Sequence, residues 1–383
     1  MQSHIIQVYI EPACRTSALY IRSLKGLEEA AGQRGLKLRV LTDTAAVREL
    51  TGDSPAVIIS ASATWTRLAV QAMKAQGVKA ILVGVSPEDF DDPQSGPTLD
   101  RRELVRQQVA CFINAGRRHL ASVGNESSDI NDVLRRQVFL STAAAQGLSV
   151  SDRDVFTGDD GLENCVRRFL DHAESYDGAI CVNDLVAVEL IAQAGVRGIR
   201  VPEQLFVAGS GNYRIGQLVQ PSLTTSTLDY DQMGRLAMDT WSLLQSNPGI
   251  DHMRITLPCK LIIRHSTAFC APPKPAQEPG SLTAWDSQSK EDSTLNFLMD
   301  LETWLMACDP LDLRILSGLL DGQSIDATAE KLFVSPGTIH YRLKKLCLMT
   351  GVENKRQLAR HLKAYMTSQA LIDAADHHYM SSL

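Results

Sequence analysis

From Ile5 to Arg264 the apolar positions follow two alternating periods. Short apolar runs read as strands: Ile5–Ile10, Leu36–Leu41, Ala56–Ser60, Ala80–Val83, His119–Gly124, a segment near Val155, Ala179–Val182 and Leu205–Ala208. Between them lie stretches with helical spacing: Ala18–Arg34, a segment ending at Gly77, Arg102–Ala115, Asp132–Ala145, Gly161–Ala173, Asp184–Gly195 and Asp229–Leu244. Strand and helix in alternation predict an α/β fold of parallel sheets with helices on both faces. The stretch Glu88–Pro97 is acidic and turn-rich and reads as a loop. The rhythm restarts after Gly116-Arg117-Arg118, so two α/β lobes are expected in residues 1–268. Lobe 1 would comprise 1–116 and 222–250, and lobe 2 would comprise 117–221 and 251–268. The last of these pieces carries two apolar runs, Arg254–Leu257 and Lys260–Arg264.

The pattern then changes. Residues 271–281, APPKPAQEPGS, are Pro-rich, and 269–293 read as a polar linker. An all-α unit is expected over 294–368, followed by a loosely ordered tail at 369–383. Leu295–Leu305, with Trp304, has helical spacing, and packing between subunits or on a neighbouring helix suits it equally. Ile325–Phe333 is a short helix pattern with Ile325, Ala329 and Leu332 on one face. After the break Val334-Ser335-Pro336-Gly337, a second helix runs over Pro336–Met349, with Ser335 as its cap and Pro336 at its first position. Ile339, Leu343 and Leu346 form its buried stripe. Thr338, Tyr341, Lys344 and Lys345 point away from that stripe, and His340 and Arg342 sit at its margins. Helix, tight turn and helix with a cationic outer face suit a helix-turn-helix whose second helix enters the DNA major groove. A helical hairpin with a solvated charged face fits the same pattern.

Charge separates these readings. Lys331–Met366 holds eight Lys/Arg and a single acid, Glu353, whereas Leu295–Glu330 holds seven acids and one base, Arg314. The 383-residue chain carries a net charge of −6. A basic end on an acidic chain is the footprint expected for contact with the phosphates of double-stranded DNA. Eight cysteines show no CxxC or Cys/His spacing, which points away from a metal site and from a disulfide framework. With no apolar run of the ~18 residues a membrane span needs and no secretion signal after Met1, a cytoplasmic, membrane-free location is expected. No GxGxxG follows the first strand, and GxxxxGK[ST], GxSxG and HExxH are missing from the chain, so neither an enzyme nor a cofactor is expected.

The segment ATAEKLFVSPGTIHYRLKKLCLMTG resembles the C-terminal DNA-binding helices of LuxR-type and, more closely, PucR-type regulators. Ala329, Leu332, Val334, Thr338, Ile339, Tyr341, Arg342, Leu343 and Gly351 carry the likeness. It implies a four-helix module with Ile339 and Leu343 in the core. Thr338, His340, Tyr341, Lys344 and Lys345 would face DNA, with Arg342 beside them. Position 340 is His where those regulators usually have Lys or Arg.

Separated pieces of residues 4–268 resemble the effector-binding core of the LacI/GalR family, a periplasmic-binding-protein-like fold. AICVNDLVAVELI is similar to that family's Asn-Asp strand-to-helix element and implies that Asn183 and Asp184 lie at the ligand mouth. GIRVPEQLFVAGSGN, QPSLTTSTLDYDQMGRLAMD and LIIRHSTA are similar to further family segments. RRQVF implies a ligand role for Arg135, and PTLDRRELVRQQVACFINAGRRHLASVG implies one for Asp100. Three features depart from the family. Its DNA-binding helices are normally N-terminal, its Gly-Phe-Asp-Asp turn is Gly209-Ser210-Gly211-Asn212 here, and the Gly of its Arg element is Val138.

The residues support a cleft without that likeness. Ligands of open α/β sheets bind beyond the carboxyl ends of strands. Asn183-Asp184, Ser210-Gly211-Asn212 and the Ser60–Trp65 segment end three such strands, and Glu11 and Arg15 follow the first. Carboxylates and forked Arg donors suit hydroxyl and carboxylate ligands, and Trp65 offers an aromatic face for a sugar. The expectation is a dimeric, ligand-controlled DNA-binding regulator of transcription. Its effector would be a small polar molecule, a sugar or sugar-derived acid, held between the lobes by Asp100, Arg135, Asn183, Asp184, Asn212 and Trp65. The alternative is a small-molecule binding protein whose C-terminal helices recruit a protein.

Overall fold

The computed structural model describes residues 5–12, 18–41, 54–87, 90, 92–127, 129–268, 293–350 and 352–380. Lobe 1 is built on β1 (Ile5–Ile10), β2 (Lys37–Leu41), β3 (Ala56–Ile59) and β4 (Ala80–Val83), parallel in the order β2-β1-β3-β4. Every residue of β3 and β4 is buried. Such apolar runs suit strands covered on both faces by crossover helices. Helices α1 (Ala18–Gln33) and α2 (Ala63–Ala75) follow β1 and β3.

A further strand, β5 (Gly96–Leu99), begins within the last two residues of the stretch read as a loop, and Leu82 N donates to Ser95 O (2.7 Å) beside it. Helix α3 (Arg101–Asn114) then leads to lobe 2. There β6 (Leu120–Asn125), α4 (Ile130–Ala145), β7 (Val155–Thr157), α5 (Leu162–Leu170), β8 (Gly178–Cys181), α6 (Asp184–Val196) and β9 (Phe206–Ala208) build a second parallel sheet, ordered β7-β6-β8-β9. A five-residue helix, α7 (Arg214–Leu218), has no counterpart in the sequence reading.

The chain next recrosses through β10 (Thr225–Ser226) into α8 (Tyr230–Ser246), which lies on α1. Their contact is too close for side chains at its centre. A Cβ on Gly26 would stand 2.0 Å from Asp231 O, and one on Gly234 would stand 2.0 Å from Ser23 O. Strand β11 (Arg254–Leu257) pairs in parallel with β5, so it lies with lobe 1 and corrects its assignment to lobe 2. Helix α8 extends to Ser246, and β12 (Leu261–Ile262) returns to lobe 2 antiparallel to β10.

The linker expected at 269–293 lies outside the described residues except for Ser293, which opens α9 (Ser293–Ala307). The helices α10 (Pro310–Leu320), α11 (Ile325–Leu332), α12 (Pro336–Met349), α13 (Lys355–Leu362) and α14 (Ser368–Met380) complete an all-α module. The expected loose tail is corrected: α14 packs along α10, with Leu371 and Ala375 fully buried and Asp376 paired to Arg314. The module does not hang free. Leu298, Leu301 and Leu305 belong to the same buried cluster as Leu185, Ile191 and Ile215 of lobe 2.

Candidate effector cleft and nucleic-acid interface

The carboxyl ends of β8 and β9 bring Asn183, Asp184 and Asn212 together. Asn183 caps α6, its Oδ1 accepting from Leu185 N and Val186 N (both 3.0 Å). Asp184 is 0% exposed, and its oxygens accept from Tyr213 N (2.7 Å) and Thr225 Oγ1 (2.5 Å). A Cβ on Gly209 would stand 2.5 Å from its Oδ1, so the glycine is what lets the carboxylate sit there. Burial pushes the Asp184 carboxyl up to about 6, against those two hydrogen bonds. Asp184 braces the turn that carries Asn212 and Tyr213. Asn212, in left-handed backbone (φ 51°), receives Arg264 Nη2 at 2.6 Å and lines an open groove.

Arg135, on α4, forms an ion pair with Asp132, and burial pushes that carboxyl up to about 6. Asp100 is the cap of α3, with Oδ1 accepting from Glu103 N (3.0 Å). The residue beside it, Arg101, is 5% exposed and donates Nη2 to Gly84 O (3.2 Å). The Nε atoms of Arg101 and Arg135 are both buried without a partner among the described residues. Both charges act on the buried Tyr230 phenol, which burial pushes up, and on Cys259. Arg22 of α1 lies 6.0 Å from the Tyr230 ring. Arg135 also acts on Tyr213. The charges of Arg101 and Arg135 thus act on buried phenols, Tyr230 of lobe 1 and, for Arg135, Tyr213 of lobe 2. Sequence reasoning missed Arg101, Tyr213, Tyr230 and Arg264; the adjacency of Arg101 to the nominated Asp100 was the available signal.

Trp65 lies elsewhere in lobe 1. Its ring stacks on Tyr9 at 4.9 Å, so that face packs protein. Glu11, 6% exposed, accepts from Ala61 N and Ser62 N (2.8 and 3.0 Å) and ties down the loop before α2. Arg15 is outside the described residues. Among the described residues no group of three His, Cys, Asp or Glu is placed to hold a metal, and no helix is long and apolar enough to cross a membrane.

In the helical module, Ser324 caps α11 and Ser335 caps α12, with Pro336 at the first position. The tight turn between them is closed by Phe333 in left-handed backbone (φ 54°). Ile339, Leu343 and Leu346 are buried, which turns His340, Tyr341, Lys344 and Lys345 to solvent. Thr338 is half-buried, its hydroxyl 2.9 Å from that of Ser335. Arg342 departs from the expected reading face. Its Nη1 is bonded to Asp309 Oδ2 (2.8 Å) and Asp312 Oδ1 (2.6 Å), the carboxylates at the start of α10. It braces α12 against α10 and does not join the exposed lysines.

Residues 109–267 match the family described as "Periplasmic binding protein-like domain". The match covers less than half of the chain, and the two lobes have the parallel-sheet α/β fold of periplasmic-binding-protein-like domains. The chain is 24% identical over 243 residues to the HTH-type transcriptional regulator pepR1 of Lactobacillus delbrueckii subsp. lactis, covering 60% of this chain and 68% of that one. It is 26% identical over 215 residues to catabolite control protein A of Priestia megaterium, covering 55% and 64%. A solved complex of the transcriptional regulator CelR with cellobiose shares the fold at a TM-score of 0.58, with 20% identity over 69% of this chain and 84% of that one. The chain thus spans about two thirds of the length of these two regulators. The family match ends at residue 267, ahead of the helical module. The resemblance of that module to LuxR- and PucR-type readers therefore rests on its own residues.

Proposed function

We propose that this chain is an effector-responsive regulator of transcription. A small polar molecule would bind between the lobes of the effector domain and change how the C-terminal helix-turn-helix meets double-stranded DNA. The observation that carries the reading is the outer face of α12. Lys344 and Lys345 stand exposed beside Tyr341 and His340, while Ile339, Leu343 and Leu346 fix the helix from behind. A helix held rigidly with cations and hydrogen-bonding side chains outward suits a major groove. The named relatives are regulators of transcription, and the CelR complex shows this fold holding a sugar. Spanning two half-sites calls for a homodimer.

Of the two effector classes, the cleft favours a sugar-derived acid over a neutral sugar. Arg101 and Arg135 are donors only, and each has a buried Nε lacking an acceptor among the described residues. An anionic oxygen reaching either Nε would supply the acceptor it lacks. The effector contacts then fall on Arg101, Arg135, Tyr213, Tyr230 and Asn212, with Asp100 and Asn183 as the caps that position α3 and α6.

Exposed apolar groups favour a second reading. Phe333 is 96% exposed and Leu348 74% exposed, which suits a protein partner for the module. Gel shifts with a random-sequence duplex at rising salt separate the two readings. Phosphate contact predicts a steep, log-linear loss of affinity. Binding absent at low salt, or indifferent to salt, removes DNA as the partner.

A further inference from the structure

The helical module and lobe 2 share one apolar core, whereas lobe 1 is built on separate clusters. Within the effector domain, α9 packs on α5, α6 and α7, and α14 on α7, all of them lobe 2 elements. Polar bonds cross the same boundary. Glu302 of α9, 4% exposed, accepts from Arg214 N through Oε1 and from Ile215 N through Oε2, both at 2.8 Å. Arg214 Nη1 donates back to Leu305 O at 2.7 Å, near the end of α9. Tyr365 Oη donates to the buried Glu189 of α6 at 2.7 Å.

These bonds converge on a short element. Five residues cannot hold a helix by themselves, so α7 depends on what grips its start. Three consecutive amides there, of Tyr213, Arg214 and Ile215, are taken by two buried carboxylates. Asp184 grips the first from inside lobe 2, and Glu302 grips the next two from the helical module. The residue just before them, Asn212, is a candidate effector contact. An open groove of about 640 Å³ lies alongside, lined by Arg22 of lobe 1 together with Asn212 and Arg214 of lobe 2 and Glu302, Met306 and Asp373 of the helical module.

We infer that lobe 2 and the helical module form one rigid body locked through α7, with Glu302 as its positioning residue. Lobe 1 is then the part that moves against the reader, across the groove at Arg22. A dimer of such chains would change the spacing of its reading helices when lobe 1 shifts. The regulatory meaning rests on the function proposed above, but the rigid body itself is measurable without DNA or effector.

Hydrogen exchange by mass spectrometry on the full chain tests it, comparing wild type with Glu302→Ala and Glu302→Gln. In Glu302→Ala the peptides covering 213–218 and 298–308 are expected to exchange faster together, by roughly 10- to 100-fold, as follows from losing charge-assisted bonds at a shared interface. The α1 peptide, 18–33, stays at its wild-type rate. Glu302→Gln is expected in between, because its side chain offers one acceptor oxygen to two amides. It also keeps the test open should the alanine variant fail to fold. Unchanged exchange at 213–218 in both variants overturns the inference, as does faster exchange confined to α9 or spread equally to α1. A failed gel shift would sink the regulator reading and leave this result standing.

Discussion

Tyr365, close to the end of the helical module, donates its hydroxyl to Glu189, a 2% exposed carboxylate in the middle of α6. The two residues lie 176 positions apart, and the bond stitches the module onto lobe 2. Gln193 Nε2 donates to the other oxygen at 2.9 Å. Removing the Tyr365 hydroxyl leaves a buried carboxylate oxygen short of a donor. Tyr365→Phe is expected to cost about 1–3 kcal/mol and to lower the melting temperature by several degrees in calorimetry. A variant as stable as wild type would show that the contact adds nothing to the interface.

Asp184 makes a similar case inside lobe 2. From the sequence alone, Asp184→Ala would abolish effector response and leave the fold intact. The structure adds a cost to the fold. The substitution strands Tyr213 N and Thr225 Oγ1, two buried donors, and leaves a hole beside Gly209. The expected loss is on the order of 2–4 kcal/mol, seen as a lower midpoint in urea unfolding. Asp184→Asn retains an acceptor for one donor only and is expected to lose less. An Asp184→Ala protein with a wild-type midpoint would show that these bonds add nothing to the fold.

Periodicity made the alternating α/β elements and the two helices around Phe333 legible, because burial dictates spacing along each. Elements whose stability comes from distant partners were hidden. Strand β5 sits in a Pro- and Gly-containing stretch and becomes a strand only through Leu82 and β11. Helix α7 is too short for a period, and Glu302, which holds it, lies 87 residues further on. Helix α14 carries a mixed His- and Asp-containing run that reads as a tail until Arg314 and α10 are set beside it. Site residues divide the same way. Asn183 and Asn212 sit at strand ends by local rule. The ties of Arg342 to Asp309 and Asp312 span 33 and 30 positions, and a helical wheel cannot show them.

That division separates the cations of α12 experimentally. Lys344→Ala with Lys345→Ala is expected to lower duplex affinity about 10-fold and to reduce the salt slope by about 2, the loss of two phosphate contacts. Their exposure predicts an unchanged melting temperature. Arg342→Ala is expected to lower stability through the start of α10 and, at a temperature where the protein stays folded, to leave the salt slope alone. A full salt slope in the double lysine variant would move the DNA contact off α12.

The acid reading of the cleft turns on Arg101. Wild type should be stabilised in thermal-shift assays by sugar acids such as gluconate or glucuronate more than by glucose at equal ionic strength, since a ligand raises the melting temperature by mass action. Arg101→Gln should weaken the acid response by about 10-fold or more in affinity, the usual scale for a lost charged hydrogen bond. Glucose matching or exceeding the acids, or an acid response that survives the substitution, would return the effector to the neutral class.

Stability should also fall as pH rises across the neutral range. Burial lifts the Glu302 carboxyl to about 7 and those of Asp184 and Asp132 to about 6, all above their ordinary values. A carboxyl raised on folding binds more protons in the native state than in the unfolded one. The slope of unfolding free energy against pH is therefore negative between the two values. The stabilisation is complete below the ordinary carboxylate range and is lost as pH passes through about 6 to 7. Unfolding free energies from urea titrations are expected to drop from about pH 5.5 to pH 8, by a few kcal/mol in total at about 1.4 kcal/mol per pH unit of displacement. Glu302→Gln cannot ionise and should flatten the part of that slope nearest neutrality. A midpoint that holds steady or climbs across the same interval would mean that these three carboxylates are not sealed from water, and that the grip on α7 is looser than its geometry shows.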